Sequence, residues 1–280
     1  MGEEKLTISC LRRKKQKGEK IAMLTAYDSF LAKTVDEAGI DAILVGDSLG
    51  MVILGYDSTR HVTMNDMIRH SLAVRRGTQR ALLIGDMPYR SFDTAEIAVK
   101  NAKRFIEEAG CDAVKLEGES TEAVYAIIKE GIPVLGHLGL TPQTAAAFKA
   151  RGKDAASAGS ILKAALNLEK IGCFAVVLEC IPAELAAIVT SRLSIPTVGI
   201  GAGPNCDGQV LVINDILGLY DKFLPKFAKR YVNLGELAGK AVSEYKEEVK
   251  TGEFPKKVNS FTIKKEELEK LYRIKDIECF

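Results

Sequence analysis

The sequence predicts an α/β chain folded as a single-domain (β/α)8 TIM barrel over residues 1–255, with a C-terminal helical extension over 256–280. Three observations predict it. Short apolar, β-branched runs alternate along the chain with longer amphipathic stretches, the rhythm of parallel strands joined by crossover helices. The strand runs are apolar almost throughout, as a sheet buried on both faces requires. About eight such units fit within about 250 residues, the size of that barrel.

The strands are read at 21–25, 42–45, 81–84, 113–116, 134–136, 175–178 and 197–199. An eighth, weaker one is read at 230–232, followed by a helix over 234–249. The intervening helices are read at 29–38, 64–76, 94–108, 121–129, 157–170, 183–190 and 208–217. Gly39, Gly110, Gly131 and Gly172 each stand between a helix and the next strand, the place of a C-terminal cap. An open doubly wound sheet is the structural alternative, disfavoured because no GxGxxG opens the first helix. From Pro255 onward the chain changes character, and residues 264–274 alternate charged and apolar side chains like a short amphipathic helix.

Composition narrows the function classes. The 280 residues are 47% hydrophobic and carry 39 basic against 37 acidic side chains, a formal net charge of +2. That balance gives no electrostatic case for nucleic acid or membrane partners, and no apolar run is long enough to span a bilayer. The basic run Arg12, Arg13, Lys14, Lys15 and Lys17 reads as a solvated helix face. The 6 cysteines, Cys10, Cys111, Cys173, Cys180, Cys206 and Cys279, form no CxxC pair. They read as reduced thiols of a cytoplasmic protein, and the charged N-terminus does not look like a secretory leader.

In such a barrel the reactive face lies at the C-terminal ends of the strands. Tyr27 and Asp28 follow the first strand, Gly46-Asp47-Ser48 the second and Gly85-Asp86 the third. The fourth contributes Lys115 and Glu117, the fifth His137 and the sixth Glu179, and the seventh runs into Gly199-Ile200-Gly201-Ala202-Gly203. Five carboxylates converging on one rim would repel unless a cation sits among them. A hard divalent ion such as Mg²⁺ fits, since it takes one or two carboxylates together with waters and substrate oxygens. Asp47 and Asp86, in matching Gly-Asp contexts on adjacent strands, are the best ligand pair, with Glu117 as an outer partner. A single strand-end Asp is equally well read as a helix N-cap, which is the reading left for Asp28. His137 is open between general base, ligand and a donor behind the ligands. The glycine-rich segment is open between a phosphate site and a tight turn that lets backbone approach an organic ligand. The long segment 49–63 has the length and position of a lid.

Longer blocks carry a resemblance. Val45-Gly46-Asp47-Ser48-Leu49-Gly50-Met51-Val52, Gly55-Tyr56-Asp57-Ser58-Thr59, Asp86-Met87-Pro88 and Val114-Lys115-Leu116-Glu117-Gly118 occur in order. They are followed by Gly136-His137-Leu138-Gly139-Leu140-Thr141-Pro142-Gln143, Val177-Leu178-Glu179-Cys180-Ile181-Pro182 and Asp207-Gly208-Gln209-Val210-Leu211-Val212. Over residues 5–255 the chain resembles the ketopantoate hydroxymethyltransferase family. The resemblance implies hydroxymethyl transfer from 5,10-methylenetetrahydrofolate to 2-oxoisovalerate, giving 2-dehydropantoate on the route to pantothenate. It implies Mg²⁺ held by Asp47 and Asp86, with Glu117 as a further, water-mediated ligand. Asp47, Ser48, Asp86 and Lys115 would bind the oxo acid, and Glu179 would be the catalytic base. A homo-oligomer, commonly a decamer, is implied as well. Asn259 stands where the family pattern has His, and 264–280 lies outside that pattern.

The mechanism expected is removal of the C3 proton by Glu179, with Mg²⁺ stabilising the enolate. Two competing readings are a different Mg²⁺-dependent lyase or aldolase barrel acting on 2-oxo acids, and a non-catalytic binding barrel. The lyases typically use a loop cysteine, and none lies between Asp86 and Cys111. A binding barrel has no reason to gather Asp47, Asp86, Lys115, Glu117 and Glu179 on one rim.

Overall fold

The computed structural model describes residues 4–145 and 149–274. An N-terminal helix α1 (Ile8–Lys17) precedes β1 (Ile21–Thr25), α2 (Ser29–Glu37), β2 (Ala42–Val45), α3 (Leu49–Val52) and α4 (Met64–Gly77). There follow β3 (Leu82–Asp86), α5 (Ala95–Glu107), β4 (Ala113–Glu117), α6 (Thr121–Lys129) and β5 (Val134–Gly139). The chain continues through α7 (Ala155–Ile171), β6 (Ala175–Glu179), α8 (Ala183–Arg192), β7 (Thr197–Ile200), β8 (Gly208–Leu211) and α9 (Ile213–Leu217). The eight strands close into one parallel barrel in sequence order, β8 pairing back to β1 with Ile21 opposite Gly208. This is the (β/α)8 architecture expected from the alternation.

Helix boundaries follow local chemistry. Asp28 accepts the Leu31 N–H and caps α2, which is the capping role expected of it. Thr63 and Asp66 form a reciprocal capping box at the start of α4. Gly39, Gly110, Gly131 and Gly172 all take positive φ as their helices end. The Asp154–Ser157 pair caps α7 in the same reciprocal way.

The eighth strand is a correction. It is Gly208–Leu211, inside the stretch expected to be helical, and α9 keeps only Ile213–Leu217 of that helix. Val210, Leu211, Ile213, Ile216 and Leu217 carry a helical spacing that hides a strand of four residues. A Cβ at Gly208 would lie 2.5 Å from the Ile21 carbonyl oxygen, so only glycine lets β8 approach β1 that closely. Residues 230–232 are an exposed segment in which Tyr231 and Val232 donate to the Ile216 carbonyl.

Two apolar layers build the core. The outer one lies between strands and helices, around Val45, Leu83, Val114, Phe105 and Leu178. The inner one takes alternate residues of the strands: Ile21 and Met23, Ala42 and Leu44, Leu82 and Ile84, Ala113, Leu135, Ala175 and Val177, Val198 and Val210. Leu11 of α1 belongs to this inner layer and is buried. Lys14 pairs with Asp41 at 2.8 Å and Lys15 with Asp207 at 2.8 Å, acids that precede β2 and β8. Helix α1 therefore closes the N-terminal mouth of the barrel. The basic run is correspondingly divided: Arg12, Arg13 and Lys17 are exposed as expected, while Lys14 and Lys15 are half-buried anchors.

The chain divides into two compact units between Val232 and Asn233. The second contains α10 (Leu234–Thr251), a 3-10 turn at Lys257–Asn259 and α11 (Lys265–Tyr272). The Tyr245 and Phe254 rings meet edge to face at 5.7 Å within it. The helix expected at 234–249 and the short amphipathic one at 264–274 both form there. Among the described residues no helix is long and apolar enough to cross a membrane, and Cys10, Cys111, Cys173, Cys180 and Cys206 are free thiols. Cys279 lies outside the described residues.

Candidate active site

Side chains of a strand alternate between the two faces of a sheet, so the parity of the inner apolar layer can be followed upward. Ile84 leads to Asp86, Ala113 to Lys115 and Glu117, Leu135 to His137, and Val177 to Glu179. Where the hydrophobic filling ends, toward the strands' C-terminal ends, the same face becomes ionisable. Register fixes the neighbours: Asp86 lies opposite Lys115, Glu117 opposite His137, and Gly139 opposite Glu179. Asp47 and Ser48 join from the turn after β2.

Lys115 Nζ donates to both oxygens of Asp86, at 2.7 and 2.8 Å. Asp86 also accepts the Asp47 backbone N–H at 3.2 Å. The residues are sealed from solvent, with Asp86 2% and Glu117 6% exposed. His137 lies between two carboxylates, its Nδ1 3.7 Å from Glu117 and its Nε2 3.2 Å from Glu179, and neither ring nitrogen has an aligned hydrogen bond. The Ser48 and Tyr27 hydroxyls meet at 2.8 Å. All seven residues expected at the site, Asp47, Ser48, Asp86, Lys115, Glu117, His137 and Glu179, line one cavity of about 750 Å³.

Charge is unbalanced there. Burial and the nearby Asp86 push the Asp47 carboxyl up to about 7. Burial pushes Glu117 up to about 9, against the pull of Lys115 and with the repulsion of Asp47 and Asp86. Burial works against the Lys115 ammonium, but Asp86, Glu117 and Asp47 outweigh it and raise the lysine. Burial and Lys115 together lower His137 below the ordinary imidazole range, despite Glu179. One buried lysine thus faces more carboxylate than it neutralises. The deficit is what a bound cation would relieve. The donor set is all oxygen, the set for a hard divalent ion. Among the described residues no three His, Cys, Asp or Glu side chains form a ready-made cage. An ion here would take one or two carboxylates and complete its shell with water and substrate oxygens.

Sequence reading gave no role to Gln143. It is 1% exposed, and its Nε2 donates to Asp47 Oδ2 at 2.9 Å and to the Met87 carbonyl at 2.9 Å. Its backbone N–H donates to Glu117 Oε2 at 3.1 Å. The same residue therefore orients two of the three clustered acids. Arg60 Nε in turn donates to the Gln143 carbonyl at 2.7 Å, which ties segment 49–63 to the β5–α7 connection. The only sequence signal was a polar residue soon after a strand end, and a glutamine in a loop is unremarkable. Asp215, which also lines the cavity, lies in the part of the expected helix that does form, and was hidden because the strand before it, β8, was not recognised.

The glycine-rich segment after β7 has a packing explanation. Gly201 takes φ +65, and a Cβ there would lie 2.7 Å from the Phe227 ring, so the ring rests on the glycine backbone.

Comparison with known proteins places these features in a family. A family model described as ketopantoate hydroxymethyltransferase matches residues 5–257. The 3-methyl-2-oxobutanoate hydroxymethyltransferase of Syntrophomonas wolfei subsp. wolfei is 54% identical over 274 residues, covering 96% of this chain and 99% of that one. The protein of the same name from Carboxydothermus hydrogenoformans is 50% identical, covering 96% and 100%. Among solved structures, phosphonopyruvate hydrolase in complex with oxalate and Mg²⁺ superposes with a TM-score of 0.59 at 14% identity, covering 95% of each chain. A 2,3-dimethylmalate lyase of the PEP mutase/isocitrate lyase superfamily gives 0.57 at 15% identity, covering 95% and 97%. At such identities these two share the fold.

Proposed function

The chain belongs to the ketopantoate hydroxymethyltransferase family, and we propose how its barrel mouth performs that family's reaction, hydroxymethyl transfer to 3-methyl-2-oxobutanoate (2-oxoisovalerate). The one-carbon donor is 5,10-methylenetetrahydrofolate and the product 2-dehydropantoate. The observation that carries the reading is the buried Asp86–Lys115 pair beside Asp47 and Glu117, with Glu179 across the same cavity.

Asp47 and Asp86, with Glu117 beside them, would hold a divalent cation, Mg²⁺ by the chemistry of the donor set. When bound, that ion supplies a Lewis acid for the carboxylate and keto oxygens of the oxo acid. Lys115 spends two hydrogen bonds on Asp86 and keeps a third for the substrate carboxylate. Ser48, turned by the Tyr27 hydroxyl, binds the same carboxylate.

Glu179 takes the proton from C3, and the C–H electron pair passes into the oxo acid as its enolate. C3 then attacks the methylene carbon of the folate as the first of its two C–N bonds breaks. Water displaces the second nitrogen and supplies the hydroxyl, and the two freed nitrogens take up the proton held by Glu179 and one from water, so that tetrahydrofolate leaves. Glu179 sits at the end of β6 with its carbonyl accepting the Leu140 N–H, so its backbone is held while the carboxylate faces the cavity. His137, kept neutral, stands 3.2 Å behind that carboxylate and limits its rotation. Segment 49–63 contributes Met51, Val52 and Thr59 to the cavity wall and helps exclude water.

The test is exchange of the C3 hydrogen of 3-methyl-2-oxobutanoate for deuterium, followed without folate. Glu179→Gln should slow exchange by 10²-fold or more, the usual order for a positioned base, while Mg²⁺ affinity stays within a few-fold. Undiminished exchange would remove Glu179 from the role.

A further inference from the structure

Much of the cavity is unused by the chemistry above. At about 750 Å³ it has the size that houses a drug-sized ligand, far more than a five-carbon oxo acid fills. Away from the acids of the rim, its wall includes Asp215 and, from one segment, Tyr220, Phe223, Lys226 and Phe227.

Asp215 is 6% exposed, and its carboxylate accepts no hydrogen bond among the described residues. Burial pushes it up to about 6, with Arg230 pulling the other way. A buried carboxyl group with no hydrogen-bond partner is costly unless a ligand supplies one. The aromatic residues are placed in the opposite sense. Phe223 and Phe227 are 49% and 37% exposed, an expensive way to leave large rings. Each is held in place, Phe223 edge to face with Tyr220 at 5.9 Å and Phe227 on Gly201. Lys226 is exposed and has no acidic partner among the described residues.

A buried acceptor, two half-exposed rings and an unpaired cation on one wall match a long, flat, amphipathic anion. We propose that Asp215, Phe223, Phe227 and Lys226 form the binding wall for the reduced folate co-substrate. The inference rests on the folate reading above and names the residues for it. The pterin ring carries N3–H and a 2-amino group side by side. Two parallel donors match the two oxygens of one carboxylate, which is the role of Asp215. Phe223 and Phe227 cover the faces of the aromatic part of the molecule. Lys226 meets the glutamate carboxylates at the solvent end, where an exposed cation keeps its hydration until the ligand arrives.

Calorimetric titration with tetrahydrofolate, as monoglutamate and as triglutamate, tests this on the full chain. Asp215→Asn and Phe223→Ala should each weaken binding at least tenfold. Lys226→Ala should erase the preference for triglutamate while leaving the monoglutamate within threefold. In all three, C3 exchange of 3-methyl-2-oxobutanoate should stay at the wild-type rate, which a damaged fold would not allow. Affinity for tetrahydrofolate within twofold of wild type in Asp215→Asn and Phe223→Ala would overturn the proposal, as would loss of C3 exchange in parallel with binding. Failure of the wild-type chain to turn over 3-methyl-2-oxobutanoate would count against the reaction instead, and the titrations would still decide about the wall.

Discussion

Gln143→Leu separates the site's architecture from the protein's stability. The leucine keeps the volume and removes the amide. Two hydrogen bonds of Nε2 are lost, one to the Asp47 carboxylate and one to the Met87 carbonyl. Bonds to charged groups contribute about 1.5–3 kcal/mol and neutral ones about 1 kcal/mol. Against this, Gln143 Oε1 is already buried without a partner, and deleting it recovers a penalty of about 1–3 kcal/mol. The net loss of stability is therefore small, roughly 1–2 kcal/mol, readable in urea unfolding. The functional loss is larger. Gln143 helps hold Asp47 ionised, so its removal drives that carboxyl further up and frees it to rotate. With Asp47 holding the ion as proposed, loss of the partner behind it should cost the 10–100-fold in metal affinity or activity typical of such partners. The Mg²⁺ concentration giving half-maximal turnover should rise by that factor at pH 7. Both outcomes follow from one geometry, so a variant that loses 4 kcal/mol or more (about twice the upper end of the balance above) or keeps its Mg²⁺ midpoint within twofold would refute the reasoning.

Two further perturbations probe the two ends of the barrel. Leu11→Ala removes a buried side chain from the inner core layer and should lower unfolding stability by about 3 kcal/mol, with kcat changed little, because the rim lies at the opposite mouth; a loss under about 1 kcal/mol would mean that α1 is a loose cover. Asp47, raised to about 7 by burial and Asp86, binds a proton in the folded state that the unfolded chain has already lost. Its contribution is therefore fully present below the ordinary carboxylate range and lost as pH rises through 7. The melting temperature of chelator-treated protein should fall between pH 5.5 and 8, with a smaller fall in Asp47→Asn or in saturating Mg²⁺, and equal slopes in all three would exclude Asp47 as the source.

The barrel was legible because its strands are buried on both faces. Near-continuous apolar runs such as Ala42–Val45 and Ala175–Glu179 leave few alternatives once helices separate them. The rim was legible for a related reason, since an acid or lysine that interrupts such a run has to face something. The failures lie where local pattern and tertiary demand diverge. Gly208–Leu211 becomes a strand because β1 and β7 offer it hydrogen bonds on both sides, a long-range fact that no window of sequence contains. Lys14 and Lys15 look like any solvated pair until the acids at Asp41 and Asp207 are brought beneath them. Gln143 acts through contacts to Asp47 and Glu117, 96 and 26 residues away, and its amide has no signature of its own.

The polarity gradient inside the barrel explains why these acids are tolerated. Below the rim, the inner layer from Ile21 to Val210 is apolar and closed by Leu11, so the fold does not depend on the ionisable mouth for its core. Above it, the hydrogen bonds that hold the acids join one βα element to another: Lys115 to Asp86, Gln143 to Asp47 and Glu117, with Arg60 bonded to Gln143 in turn. A buried ion pair adds little net stability, and here the Lys115–Asp86 pair is crowded by two further carboxyl groups that burial raises toward their neutral forms. The arrangement is therefore better explained by binding than by folding. On the proposed function it keeps a preorganised acidic site that would gain when a cation and an oxo acid enter together: the cation would replace protons on Asp47 and Glu117, and the substrate carboxylate would complete the coordination of Lys115. Such a site should bind the oxo acid weakly without the ion and the ion weakly without the oxo acid, since each supplies part of the charge the other requires.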